Sequence, residues 1–282
     1  MSFSLNALYK EVGLSKQAVF QYDARQKIFD QKVRQMVLEA DALREYHPGC
    51  GVEKMYYSLK PGFIGRDRFV ELMMDIGYRL KRKKNYKRTT IASKIYYPNH
   101  IKGMVVDRPS MIWQSDITYI PIGNRHYYAV FIIDVYTKKI VGYKVSDNMR
   151  AQANMEALNM ALKDNAAPLY HHSDRGSQYI FRDYIKLLRD NGSEISMALS
   201  AQDNAYAERI NRTIKEEYLS YWQPKNFNEL KHCIEKAVKN YNNKRPHNNI
   251  GRMTPTSYSG KVSLLNPDQR EKLVIFNNEI NI

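Results

Sequence analysis

The chain has 282 residues, with 44 Lys and Arg against 29 Asp and Glu, 43% hydrophobic residues and a net charge of +15. It is long enough for one large domain or two to three smaller ones, and no stretch nears the ~18 consecutive apolar residues of a membrane span. Two cysteines, Cys50 and Cys233, cannot build a disulfide framework, and the N-terminus lacks a signal-peptide pattern, so a reducing cytoplasm is expected.

The charge is uneven: +9 over residues 1–100, +2 over 101–200 and +4 over 201–282. Residues 5–22 read as an apolar helix broken at Gly13 and restarted at a Ser15 N-cap, a helix-turn-helix outline that also fits an ordinary helical hairpin. A long amphipathic helix is predicted over 27–47, ending before Pro48-Gly49. Two further segments follow, 52–59 and 65–77, the second with Phe69, Leu72, Met73 and Ile76 at helical spacing. That block places Arg66, Arg68 and Arg79 where they can meet a duplex backbone. Seven of the ten residues from 79 to 88 are basic: Arg79, Lys81, Arg82, Lys83, Lys84, Lys87 and Arg88. Such density suits phosphate contacts that release counterions, although a solvated linker has the same composition.

From residue 111 the texture changes to strands. Residues 111–120 alternate, 127–135 form a nearly continuous apolar run, and 139–145 follow a short Tyr136-Thr137-Lys138 turn, which predicts an antiparallel meander. Next come a helix over 151–164, a strand over 169–172, a helix over 177–191, a strand over 195–198 and a long helix over 203–221. The order β-β-β-α-β-α-β-α makes the fold class α/β: a mixed five-stranded sheet flanked by helices, preceded by an all-α region. Expected domains are an N-terminal helical segment at 1–40, a helical DNA-binding module at 41–100, a core at 105–258 and a tail at 259–282.

Three carboxylates stand where that fold can bring them together. Asp116 lies inside the first strand, where an ionised group is costly unless paired, and a metal ion is one such partner. Asp174 follows the fourth strand, at the carboxyl edge where open sheets place their sites, although a turn-capping role fits it too. Glu208 lies in the last helix. Helical periodicity puts Tyr206, Ile210 and Ile214 on its buried stripe and Asn204, Glu208, Arg212 and Lys215 on the opposite face, where an exposed Glu208–Arg212 pair is the plain alternative. Three oxygen-donor carboxylates without cysteine or histidine at zinc spacing favour Mg2+ or Mn2+. Two such ions about 4 Å apart would activate an attacking oxygen and stabilise a leaving one. His171 and His172 point to opposite strand faces, so one is expected in the core and the other near the site. Ser173 has no base in a triad arrangement, which makes a nucleophilic hydrolase a weak reading.

The segments 113–119 (WQSDITY), 172–179 (HSDRGSQY) and 203–215 (DNAYAERINRTIK), with YNNKRPH at 241–247 and Thr254-Pro255, closely resemble the second-frame (OrfB) transposases of bacterial insertion sequences, relatives of retroviral integrases. The resemblance spans roughly residues 40–258. It implies a ribonuclease H-like fold and a DDE triad of Asp116, Asp174 and Glu208 that binds two divalent ions and catalyses DNA strand transfer. It also implies that Arg212 and Lys215 hold the element's terminal DNA and that residues 44–90 form a helical DNA-binding module. Implied partners are double-stranded DNA, further copies of the chain on paired ends, and an upstream-frame protein; the implied setting is the bacterial cytoplasm, at the nucleoid. The chain has 33 residues between the second aspartate and the glutamate where the family usually has thirty-five, and the shortening falls in Leu199-Ser200-Ala201-Gln202. Integrase-type zinc-binding histidine and cysteine pairs are absent. The rival readings are a DNA-binding regulator without enzymatic activity, disfavoured by the intact triad, and a ribonuclease H-like nuclease, which would not need the basic helical front end.

Overall fold

The computed structural model describes residues 4–80 and 97–275. Of the expected DNA contacts, Lys81, Arg82, Lys83, Lys84, Lys87 and Arg88 lie outside the described residues. The chain divides into two compact units: residues 1–46 with 50–80, and residues 47–49 with 81–282.

In the first unit, α1 (Leu5–Glu11) precedes α2 (Lys16–Tyr46). Ser15 caps α2, its Oγ accepting the Ala18 N–H at 3.1 Å, as the sequence predicts. The predicted second helix of the helix-turn-helix outline and the predicted 27–47 helix are one 31-residue helix, because no glycine or proline interrupts residues 16–46. The expected boundary at residue 40 therefore falls inside α2. Its C-terminal third buries Met36, Ala40 and Leu43 against α3 (Val52–Leu59) and α4 (Arg66–Met73), which contribute Val52, Met55, Phe69 and Met73. A π turn over Met74–Tyr78 follows α4 and delivers Tyr78 to Arg44, whose Nη2 donates to the Tyr78 carbonyl at 2.6 Å. Arg66 pairs with its neighbour Asp67, Arg68 lies over the Phe29 ring, and Arg79 is exposed.

The second unit is built on a five-stranded sheet. β1 (Val105–Val106) stands outside it; β2 (Ile112–Ile122), β3 (Arg125–Asp134) and β4 (Ile140–Ser146) form the predicted meander. Helix α5 (Ala151–Asp164) crosses to β5 (Tyr170–Ser173), and α6 (Arg182–Asp190) crosses to β6 (Glu194–Met197). The strand order is β4-β3-β2-β5-β6, antiparallel across the meander and parallel from β2 through β6. The β3–β4 turn is pinned by buried Asp134, which accepts from the N–H groups of Ser110 and Thr137 and from the Thr137 hydroxyl, each at 2.7 Å.

Each sheet face has its own core. Trp113, Val130 and Ile132 pack against α5 and α6, while Ala129, Phe131 and Ile133 pack against α7 (Ala205–Ile214) and α9 (Phe227–Asn243). Neighbouring residues of β3 thus serve opposite layers, as the strand period demands. α5 lies so close to β4 that a Cβ at Gly142 would sit 2.2 Å from the Ala157 carbonyl oxygen, so only glycine fits there. A short helix α8 (Ser220–Trp222) precedes α9. The helix α10 (Pro255–Ser263) begins at Thr254, whose Oγ1 accepts the Ser257 N–H at 3.1 Å with Pro255 in the first turn, which gives the Thr-Pro pair a capping role. Residues 259–275 are more than a tail: Val262 and Ile275 are buried, and β7 (Leu273–Val274) pairs with β1.

Candidate active site

The β2–β5 register sets two of the three carboxylates. Ser115 pairs with Ser173 on the neighbouring parallel strand, so Asp116 and Asp174, one residue further along each, sit side by side. The exit from β5 is held by the Gly176 N–H, which donates to Asp174 Oδ1 at 3.1 Å. Asp116 lies within β2 because that strand runs past the end of β5, which leaves its carboxylate half-buried.

Glu208 arrives on α7, and the way α7 is fixed is the part that sequence reasoning missed. Gln114, fully buried two residues before Asp116, reaches across to the start of that helix. Its Oε1 accepts the Tyr206 and Ala207 N–H groups at 3.1 and 3.4 Å, and its Nε2 donates to the Asp203 carbonyl at 3.2 Å. These are free donors of a helix N-terminus, capped here from another element. One turn on, Asn211 Nδ2 donates to Asp116 Oδ2 at 2.8 Å. The strand with the first aspartate and the helix with the glutamate are therefore tied at two points that flank both carboxylates. The only trace either leaves in the sequence is position: Gln114 shares a strand face with Asp116, and Asn211 stands at i+3 from Glu208.

Asn204 departs from expectation. It precedes α7 at the end of a 3-10 turn (Ala201–Asn204), is 2% exposed, and donates through Nδ2 to the Ser115 carbonyl at 3.0 Å. Helical periodicity does not extend into that tighter turn, so Asn204 faces β2 and has no access to DNA. Arg212 is exposed on α7 and Lys215 is half-buried just past it, where the α-helix gives way to a π turn over Lys215–Leu219. Both histidines are core: His171 Nε2 bonds the Tyr184 hydroxyl at 2.9 Å and His172 Nδ1 the Ser196 hydroxyl at 2.8 Å. The Tyr241–His247 stretch is scaffolding, since Arg245 forms a two-pronged ion pair with Glu217 at 2.7 and 2.8 Å and Asn242 brackets the backbone of Ile140.

The electrostatics of the site ask for a cation. Burial, then the neighbouring Asp174, pushes the Asp116 carboxyl up to about 8, with a smaller push from Glu208; bonds from Ile117 and Asn211 pull the other way. Asp174 is raised by burial. Glu208 is raised by partial desolvation, pulled back by Arg212 and pushed again by Asp174. None of the three makes an ion pair with any described residue, and Glu208 feels Arg212 without closing a salt bridge on it. Among the described residues no three acidic, imidazole or thiol groups converge into a finished metal cage. Asp116 and Asp174 form the fixed part of the cluster, and Glu208 stands on the exposed face of its helix.

The sheet order thus sets two carboxylates at adjacent interior strands and a third on the helix that follows β6. Two integrase core domain profiles match the chain, over residues 106–201 and 194–255. The 31 kDa protein of insertion element IS600 from Shigella sonnei is 32% identical over 206 residues, covering 70% of this chain and 76% of that protein. The transposase for insertion sequence element IS629 from the same organism is 32% identical over 218 residues, covering 75% and 74%. Among solved structures, the HTLV-2 integrase catalytic core in complex with magnesium is 19% identical, with a TM-score of 0.47 over 54% of this chain and 97% of that one. The chain belongs to the insertion-sequence transposases of the integrase-core superfamily, and is thus a DNA transposase, a polynucleotidyl transferase of the DDE type. No helix among the described residues is long and apolar enough to cross a membrane.

Proposed function

We propose that Asp116, Asp174 and Glu208 are the catalytic carboxylates of this transposase and together hold two divalent ions, Mg2+ or Mn2+, at the ends of its insertion element. The observation that supports the reading is the group of three carboxyls, all raised by burial, with Asp116 raised further by Asp174 and Glu208, and none in an ion pair with a described residue. An all-oxygen donor set of that charge fits a hard cation. When bound, the ions supply Lewis acidity toward the attacking and leaving oxygens of a phosphodiester. The chain's own residues do the rest. Gln114 and Asn211 hold α7 and β2 in register so that Glu208 faces the aspartate pair, and Asn211 fixes the rotation of the Asp116 carboxylate. The attacking groups are water for strand cleavage and then the freed 3′-hydroxyl for joining, both in line with the scissile bond, with catalysis by positioning and charge neutralisation.

Arg212 and Lys215 hold the DNA end, and Arg79 with the basic run 81–88 contacts duplex DNA. The division of labour is a helical end-binding region within residues 1–100 and a catalytic core at 105–258. The chain acts as a homo-oligomer on paired ends, with an upstream-frame protein as a further partner, in the cytoplasm at the nucleoid. The test is an incubation with labelled element-end DNA and Mg2+ beside Asp116→Asn and Glu208→Gln variants. Cleavage and joining vanish in the variants while end binding persists; if binding is lost in step with activity, these residues are not specifically catalytic.

A further inference from the structure

The second unit contains a groove that the carboxylate site does not use. It lies between the β2–β3 hairpin and the chain that follows α7, encloses about 550 Å3, and is lined by Pro121, Ile122, Lys215, Leu219, Gln223 and Lys225, among others. That volume falls in the roughly 300–1,000 Å3 range of small-ligand sites. Its walls carry two departures from regular backbone. The π turn Lys215–Leu219 interrupts the helix where it borders the groove, and Gln223 adopts a left-handed conformation (φ +46°) that a non-glycine residue rarely takes. Both shape the wall facing the hairpin.

The chemistry of the lining is amphipathic. Ile120, Pro121, Ile122 and Leu219 make an apolar floor, and Lys215 and Lys225 stand at its margin. Lys215 is half-buried and has no ion-pair partner among the described residues, although its charge feels that of Asp116. A partly desolvated, unpaired ammonium is costly, and an anion brought by a ligand relieves that cost. Asp116 and Glu216 offset part of that cost through space, and neither closes an ion pair on Lys215. Glu229 is turned away, accepting the Lys225 N–H at 2.8 Å and the Asn226 amide at 2.7 Å, and Glu216 is exposed.

We infer that this groove seats one unstacked nucleotide of the DNA strand adjoining the scissile phosphate, with its base on the Pro121–Ile122–Leu219 floor and its flanking phosphates on Lys215 and Lys225. The inference rests on the transposase reading of the carboxylate site and adds a subsite to it. A nucleotide combines what the lining offers: a flat apolar face, an anionic charge on each side, and continuity with the scissile phosphate through Lys215. Sequence-tolerant seating is expected, because every base has an apolar face and the floor presents few hydrogen-bonding groups. The groove therefore holds the strand end in place and does not read its sequence.

The test is disulfide trapping. Ser220 lines the groove, and its Oγ is occupied only by the Glu216 carbonyl. A Ser220→Cys protein in a Cys233→Ser background, with Cys50 buried, is incubated with element-end duplexes that carry, at each successive position of both strands, a base tethered as a mixed disulfide, so that attack by the introduced thiolate forms the cross-link and releases the small thiol. Trapping should peak at one or two nucleotides of one strand near the scissile phosphate, at least tenfold above the remaining positions, and should fall severalfold when Lys225→Glu is added. Trapping that is uniform along the duplex, or absent, while the wild-type protein joins the same DNA overturns the groove and leaves the transposase reading standing. Failure of the wild-type protein to cleave or join this DNA counts against that underlying reading and removes the groove inference with it. A second, mutation-free measurement uses 2-aminopurine at the peak position: its fluorescence should rise on binding as the base unstacks, and a base that stays quenched excludes seating.

Discussion

Replacing Asp116 by Asn should stabilise the metal-free protein, the opposite of what a core substitution usually does. The carboxyl is held up to about 8 against a usual 3.8, so at pH 7 the protein keeps it ionised, or forces it neutral, at a cost of about 4 kcal/mol relative to the unfolded chain. The sign follows from the direction of the shift: for a raised carboxyl the stability contribution is full below pH about 4 and is lost progressively as pH climbs through about 8. Asparagine removes the charge and keeps the shape. It can still accept one of the two bonds that Ile117 and Asn211 now make, and losing the other returns roughly 1 kcal/mol. The net gain is about 2–3 kcal/mol, which raises Tm by roughly 5–10 °C for a unit of this size. Thermal unfolding in EDTA at pH 5, 7 and 9 should show the wild type weakening with pH and the variant gaining most at the upper end. Added Mg2+ should restore the wild type and do much less for the variant. A variant that melts lower than the wild type in EDTA at pH 7, or that gains as much from Mg2+, would refute the reasoning.

Gln114→Met, which keeps the volume and removes the cap on α7, should cost about 1–3 kcal/mol of stability and slow cleavage by ~100-fold with end affinity retained; unchanged cleavage would show that Glu208 needs no such anchor. Lys215→Ala should weaken end binding and lower the slope of log affinity against log salt by about 0.9, read by titration at several salt concentrations; an unchanged slope removes Lys215 from the phosphate contacts. Glu217→Ala leaves the buried Arg245 guanidinium without its carboxylate and should cost about 3–5 kcal/mol in denaturant unfolding, whereas Glu217→Ala with Arg245→Met should recover much of it.

The sequence carried the sheet because its strands obey the local rules. The 127–135 run is apolar without interruption since β3 is central and buried on both faces, and the meander joins through short turns. Asp116 stood out because an acid inside a core strand is costly unless paired, whereas Asp174 also serves the turn after β5, where it accepts the Gly176 N–H. Boundaries failed where a local signal was weak or overruled. Nothing in residues 16–46 marks a stop, so two expected helices are one, and the register of Asn204 was lost because a 3-10 turn changes the angle per residue just before α7. Gln114 was invisible as a function because its partners lie about 90 residues away, and only the packing of α7 on β2 makes an amide there a helix cap. The Tyr241–His247 stretch entered the reading only through the family resemblance, and its role shows in the fold, where Asn242 bonds the Ile140 backbone and Arg245 bonds Glu217.

The central claim is that the three carboxylates, and no other group, carry strand transfer. Purified protein incubated with labelled element-end DNA and Mg2+, beside Asp174→Asn, tests it most directly. The account predicts cleaved and joined strands from the wild type, and from the variant none, with end binding within a fewfold of normal. Joined product from the variant at anything near the wild-type rate would contradict it.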